Sequence, residues 1–455
     1  MVNAKDVSRS VAKLLAELAQ IGSPYLVGGC VVDMLRAVVP KDWDIEVYNV
    51  HLPVLEEALA ELGLTFKRCG KGFGILKIAP DCVGGLDVDV SIPRRENRVG
   101  VGHADFEVIH DPGMTPKEGA ERRDLTINSV YWSPDGGFQD PYEGLKDLQA
   151  GVLRATNPEK FVEDALRPLR IMQFLARGKG KTVDAETMEL CRQLSGECVN
   201  LSKERVFEEF KKLLMADDPV TGLRFLVDSG WIANFPELAD LVGCEQHPEW
   251  HPEGDVWEHT LWAVKNAAIL RSNLPKDWQL AYMFGVLLHD VGKPSTTAPD
   301  LTAYGHDQAG GPIAKSCMKR VTDEKKLIIK VTAIVENHMQ PYSLTAGGGK
   351  AAAWRRLHNK IRLDVIGWMS RADGNAKPGR DCTDPNHEPS KLAFEYFAEL
   401  GEEKIAPLVQ GRDLIKAGLK PGPKFGKALK VAYEAQVADS TLGLDDLLQV
   451  ALATI

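Results

Sequence analysis

The chain has 455 residues, of which 44% are hydrophobic and 26% charged, with a formal net charge of −9. Two to four domains of an ordinary globular protein fit that length and balance, and no apolar run is long enough to span a membrane. Any nucleic acid has to meet a local basic face on an acidic protein. The eight cysteines contain no C-x-x-C pair and the N-terminus has no apolar signal core, so reduced thiols and a cytoplasmic location are expected.

Residues 7–21 carry Val11, Leu14, Leu15 and Leu18 at helical spacing, and Gly22-Ser23-Pro24 ends that helix. A short strand at 25–27 then runs into the turn Gly28-Gly29, and a short helix is expected at 31–38. The next strand, 42–48, opens Asp42-Trp43-Asp44-Ile45. Alternation puts Asp42 and Asp44 on one face and Trp43 and Ile45 on the other. Two neighbouring carboxylates repel unless a cation sits between them, and Mg²⁺ takes carboxylate oxygens together with substrate phosphates. Glycine lets backbone approach those phosphates. A metal-dependent nucleotidyl-transfer site fits the stretch, and so does a surface hairpin with two solvated aspartates.

A helix at 52–62 and strands at 73–78 and 86–92 complete a small mixed α/β domain. Asp87 and Asp89 share a face of the last strand, either as a solvated edge or as the source of a third metal carboxylate. Residues 94–102 form a charged, glycine-bearing loop of the kind that acts as a lid. The segment Arg122-Arg123-Asp124-Leu125-Thr126-Ile127-Asn128 reads as the opening of a helix whose arginines suit a triphosphate. From residue 158 onward the pattern is almost entirely helical. There Asp164, Arg167 and Arg170 fall three apart, which on a helix makes either a base-reading face or a surface ion pair. The basic residues Lys179, Lys181, Lys203, Arg205, Lys211 and Lys212 follow, as phosphate contacts or as a solvated face.

In the second half, His259 is followed by the pair His289-Asp290 ahead of Gly292-Lys293-Pro294, then by His306, His338 and Asp373. His259, His289, Asp290 and Asp373 make a donor set for a borderline divalent ion, and His306 and His338 suit a second metal or a phosphate. The run Gly347-Gly348-Gly349-Lys350 lacks the spacing of a phosphate-binding P-loop and reads as a plain loop. Within the last stretch, 411–455, the run Gly418 to Lys427 is basic and turn-rich before an amphipathic helix, placed either on a nucleic acid or against the preceding domain.

Taken in order, Leu26-Val27-Gly28-Gly29 with Asp33, Asp42/Asp44, Arg94-Arg95-Glu96, the 122–128 segment, Asp140 to Asp147 and 163–170 resemble the class II tRNA nucleotidyltransferases, the CCA-adding enzymes and their sister bacterial poly(A) polymerases. The histidine pattern over about 250–380 is similar to the HD phosphohydrolase superfamily. The resemblance implies an α+β nucleotidyltransferase head with a small mixed sheet at 1–150, an all-α neck and body at 151–243, an all-α HD domain at 244–380 and a helical tail at 381–455. It implies that Asp42, Asp44 and Asp89 are the catalytic acids, with Mg²⁺ on Asp42 and Asp44. Gly28, Gly29, Arg123, Asp124 and Asn128 would then meet the nucleotide, and Asp164 and Arg167 would form a protein template for its base, with Arg170 supporting. His259, His289, Asp290 and Asp373 would hold a transition metal such as Ni²⁺, Mn²⁺ or Co²⁺. CTP, ATP and the tRNA 3′ end are the implied partners, with no membrane partner and the oligomeric state left open. Poly(A) synthesis, or addition of only CC or only A, is the alternative reading. One departure stands out, because Val32 occupies the place where the family's glycine turn usually carries a nucleotide-binding arginine.

Overall fold

The computed structural model describes residues 7–69, 74–98 and 106–454. Two compact units divide them, one formed by residues up to 209 with 224–234, the other by 210–223 and everything from 235 on.

The first unit begins α1 (Arg9–Leu18), β1 (Ser23–Val27), α2 (Gly29–Leu35), β2 (Asp42–Tyr48) and α3 (Leu52–Glu61). It continues β3 (Phe66–Cys69), β4 (Ile75–Ile78), β5 (Asp87–Ser91), β6 (Arg94–Arg98), β7 (Phe106–His110) and α4 (Pro116–Glu121). Then come β8 (Tyr131–Ser133), β9 (Gly137–Gln139), α5 (Gly144–Ala150), β10 (Val152–Leu153), α6 (Pro158–Phe161), α7 (Arg167–Ala176), β11 (Thr182–Val183) and α8 (Ala185–Gln193). A mixed sheet has the order β3-β4-β5-β2-β1-β8-β9, with β2 and β5 its parallel neighbours. The alternation of β2 decides its two faces. Trp43, Ile45 and Val47 are buried in one core with Val11, Leu14, Leu15 and Leu18 of α1 and Leu55 and Leu59 of α3. The other face carries Asp42, Asp44 and Glu46. Each fully buried aliphatic side chain in that core contributes about 1.5–3 kcal/mol.

Four local expectations are corrected. The helix expected at 31–38 runs Gly29–Leu35, and Val38 and Val39 are exposed. Arg94–Arg98 is a strand paired with Phe106–His110, not a loop, while residues 99–102 of the expected lid lie outside the described residues, as does Phe73. The 122–128 segment follows the end of α4 and closes in a 3-10 turn at Thr126–Ser129. Its cause is Asp124, whose Oδ1 accepts from Leu125 N–H at 2.9 Å and Asn128 Nδ2 at 2.8 Å, bonds that compete with a continuous helix. Finally, Asp164 precedes α7 instead of sharing it, and Pro168 sits in the helix's first turn, where its missing N–H has no cost.

The helices α9 (Lys203–Leu214) and α10 (Pro219–Asp228) come next in the chain. Every regular element among the second unit's described residues is a helix. It holds α11 (Pro236–Ala239), α12 (Val256–Leu270), α13 (Lys276–Leu288), α14 (Lys293–Thr296), α15 (His306–Val321), α16 (Lys325–Asn337), α17 (Gln340–Ala346), α18 (Ala351–Lys360) and α19 (Leu363–Gly374). After these come α20 (Glu388–Leu400), α21 (Gly411–Lys416), α22 (Pro423–Ala438) and α23 (Leu444–Leu452). The glycine run 347–349 lies between α17 and α18. The basic tail packs on the preceding helices, since Arg355 of α18 donates to the carbonyls of Val437 at 2.7 Å and Ala438 at 2.9 Å. No helix of the described residues is long and apolar enough to cross a membrane.

Candidate active site and candidate metal centre

The parallel pairing of β2 with β5 sets Asp42 opposite Asp87 and Asp44 opposite Asp89. Asp87 is exposed and pairs with Lys77 at 3.3 Å, whereas Asp89 is partly buried and its Oδ1 has no hydrogen-bond partner. Burial, and then the charge of Asp89, push the Asp44 carboxyl up to about 6. A desolvated carboxylate facing another with an orphaned oxygen is what a cation relieves, so the residues present fit a Mg²⁺ ion.

Gly28 has a φ of 68°, and a Cβ there would stand 3.4 Å from Arg123 Nη1 and 3.6 Å from Asp44 Oδ2. The turn therefore brings backbone close to both the acid and the arginine. Arg123 is held by Glu46, whose Oε2 accepts at 2.9 Å, while Arg122 donates to Oε1 at 3.0 Å and Tyr48 Oη to Oε2 at 2.7 Å. Burial alone would raise the Glu46 carboxyl, but Arg123 and Arg122 hold it below the usual range. The sequence reading missed Glu46, although its position two residues beyond Asp44 on an alternating strand was the available signal.

The expected base-reading residues are placed differently from a single helical row. Arg170 donates to Asp124 Oδ2 at 2.7 Å. Arg167 donates to the carbonyls of Lys160 at 2.7 Å and Arg122 at 2.8 Å. Asp164 accepts from Arg205 at 2.8 Å. Asp124, Asn128 and Arg170 thus form one network, in which only Asn128 Oδ1 is buried without a partner. Lys179, expected on a solvated or RNA-facing surface, is buried and pairs with Asp33 at 3.1 Å.

In the second unit His289 caps the C-terminus of α13, and Asp290 follows it. His289, His306 and His338 each have Nδ1 at 2.7 Å from a backbone carbonyl, of Val286, Ala303 and Val335 respectively. That contact fixes the proton on Nδ1 and leaves Nε2 as a lone pair. The three Nε2 atoms lie 3.2, 3.3 and 3.8 Å from carboxylate oxygens of Asp290. His289 Nε2 has no hydrogen-bond partner, and the Nε2 atoms of His306 and His338 are 3.0 Å apart. Facing lone pairs are stable only around a cation or an added proton.

Asp373 Oδ1 lies 3.0 Å from His259 Nε2, and Glu253 Oε1 lies 2.7 Å from His259 Nδ1. Burial pushes His259 down, but the bonds to Asp373 and Glu253 win and raise it to about 9. Asp290 turns Oδ2 toward His289 and Oδ1 toward His306, so all six expected residues meet around it, in the groups His259–His289–Asp373 and Asp290–His306–His338. Glu253 and Lys293, the latter 2.7 Å from Asp290, were not among the expected site residues. Among the described residues, every group of three donors within 4.8 Å of one another lies in this unit.

Residues 24–154 match the family model described as poly A polymerase head domain, and 181–241 the model of a probable RNA- and SrmB-binding site of polymerase A. A multifunctional CCA protein of Alkalilimnicola ehrlichii is 33% identical over 411 residues, covering 87% of this chain and 92% of that protein. The chain belongs to the multifunctional CCA protein family. In fold this family member is similar to a CCA-adding enzyme solved with CTP, at a TM-score of 0.64 and 20% identity over 99% of this chain and 96% of that one. It is also similar to the Thermotoga maritima CCA-adding enzyme complexed with tRNA-CCA, at a TM-score of 0.60 and 19% identity over 99% and 97% of the two chains.

Proposed function

We propose that this chain adds or repairs the 3′-terminal CCA of tRNA, using CTP and ATP at the glycine turn and the carboxylates of β2. The observation that carries the reading is the Asp44–Asp89 register beside Gly28, with Arg123 fixed by Glu46 at the same turn. Membership of the multifunctional CCA proteins supports it, as does the likeness in fold to enzymes solved with CTP and with tRNA-CCA.

Asp42 and Asp44, with Asp89 beside them, would hold Mg²⁺, which when bound supplies charge neutralisation for the 3′-hydroxyl and the leaving pyrophosphate. Arg123 offers its remaining donors to phosphate, and Glu46 keeps that guanidinium in one orientation. Gly28 and Gly29 leave room for the triphosphate. Asp164 and Arg167 present an acceptor and donors near the start of α7, and Asp124, Asn128 and Arg170 brace that template. Primer extension tests the reading with a tRNA lacking CCA, a tRNA ending in CC and an unrelated RNA, each given CTP, ATP or both. CCA on the first and A on the second are expected. A long A-tail on any RNA would instead identify a poly(A) polymerase, and stalling at CC or addition of A alone a partial enzyme.

The convergence of imidazole Nε2 atoms on Asp290 favours a second activity, a metal-dependent phosphohydrolase of HD type in residues 244–380, followed by the tail at 381–455. His259, His289, Asp290 and Asp373 would hold a transition ion such as Ni²⁺, Mn²⁺ or Co²⁺, with His306 and His338 beside it for a second ion or a phosphate. Such an ion supplies Lewis-acid activation for phosphoester hydrolysis. Glu253 orients His259, and Lys293 places an ammonium next to Asp290. Hydrolysis of a nucleoside 2′,3′-cyclic phosphate that vanishes on chelation and returns with added metal is the expected outcome.

A further inference from the structure

In the run Arg177-Gly178-Lys179-Gly180-Lys181, Arg177 and Lys181 are exposed and Lys179 is 5% exposed. Its ammonium lies 3.1 Å from Asp33 Oδ1 and 3.9 Å from where a Cβ on Gly29 would stand. At the adjacent Gly28 the same construction meets Arg123 Nη1 and Asp44 Oδ2. Successive Cα atoms are about 3.8 Å apart, so Lys179 stands at the same short turn as Arg123 and Asp44, one residue along.

Burying an ammonium is costly unless it is neutralised. Asp33 supplies one negative charge, but Arg36 and Arg177 also act on Lys179 and oppose its protonation, adding to the larger effect of burial. The ammonium therefore has one carboxylate partner beside the glycine turn, against which the charges of two guanidiniums work. Val32 is fully buried and brings no charge of its own to that turn. A polyanion at the turn would complete the neutralisation, and the nucleotide triphosphate is the polyanion that the transfer chemistry requires.

We propose that Lys179 binds the triphosphate of the incoming nucleotide from the Gly29 side of the turn, opposite Arg123. This rests on the nucleotidyl-transfer reading. Asp33 acts as a positioning residue that holds the ammonium in place while the site is empty.

The test is steady-state transfer with CTP and with ATP, reading KM for nucleotide, KM for tRNA and kcat, for Lys179→Met, Lys179→Arg and the double variant Lys179→Met/Asp33→Asn. The double variant removes the carboxylate that the single change would leave buried and unpaired. It keeps the test informative if Lys179→Met does not fold. Loss of one charge-assisted phosphate contact corresponds to about a 10- to 100-fold rise in nucleotide KM. That rise is expected for both nucleotides in the methionine variants, with kcat and tRNA KM within about twofold and most of the affinity restored by arginine. An unchanged nucleotide KM in a folded methionine variant overturns the proposal, and so does a rise confined to tRNA KM. If the wild-type chain adds no nucleotide at all, the transfer reading itself fails, and the proposal with it.

Discussion

Glu46 accepts from Arg122 and Arg123 through separate oxygens, at 3.0 and 2.9 Å, from a position only 3% exposed. One buried carboxylate thus fixes two guanidiniums behind the glycine turn. Glu46→Gln keeps the shape and removes the charge. Breaking such a buried cluster costs about 3–5 kcal/mol, read by urea unfolding. Transfer should fall by about 10²-fold as Arg123 loses its fixed orientation. A variant with undiminished transfer would show that Arg123 needs no such support.

The elevation of Asp44 to about 6 gives the metal-free head a specific pH dependence. Its folded-state pKa lies above its ordinary value of 3.8, so the protonated form is favoured by folding. That contribution is complete below about pH 4 and is lost as pH rises through 6. Metal competes with the same proton, so Mg²⁺ affinity should rise over that window. Urea unfolding in chelator from pH 4 to 7, repeated on Asp44→Asn, checks the first point. The variant should lose the decline. An identical decline in both proteins would assign it to another group.

In the second unit, Asp290→Ala removes the carboxylate toward which His289, His306 and His338 all point. Equilibrium dialysis against Mn²⁺ or Ni²⁺ should show metal uptake reduced by at least about tenfold, as expected for loss of a direct ligand. CCA addition by the same preparation should be retained. Uptake equal to wild type would place the metal elsewhere.

Arg167 donates to the backbone carbonyl of Arg122, directly before Arg123. Arg167→Ala should therefore relax the choice of base and also lower transfer of the correct nucleotide, each by about tenfold for a lost charged hydrogen bond. Misincorporation of UTP and GTP, measured beside kcat for CTP, separates the two effects. Relaxed choice at full rate would deny the coupling to Arg122.

The carboxylate strand was legible because an alternating Asp-Trp-Asp-Ile pattern has one way to sit on a sheet, Trp43 and Ile45 inward. The second-unit histidines were legible through their spacing with the His289-Asp290 pair. Lys179 was not, because its burial depends on Asp33, which lies 146 positions earlier, and nothing local marks a lysine between two glycines as internal. The row of Asp164, Arg167 and Arg170 was misread because spacing of three suggests one helix, while Pro168 belongs in a first turn and α7 begins at Arg167, beyond Asp164. Glu46 lay within the right pattern and lacked only its partners, which come from the distant 122–123 segment.

Arg355 reaches the final carbonyls of α22, and Ala428, Ala432, Leu447 and Ala451 share a small core of their own. A buried guanidinium therefore binds α22 to α18, and the shared core binds α23 to α22. Their amide protons should exchange at the pace of α18 and not at that of a frayed end, which makes the C-terminal stretch part of the cooperative unit that holds α18.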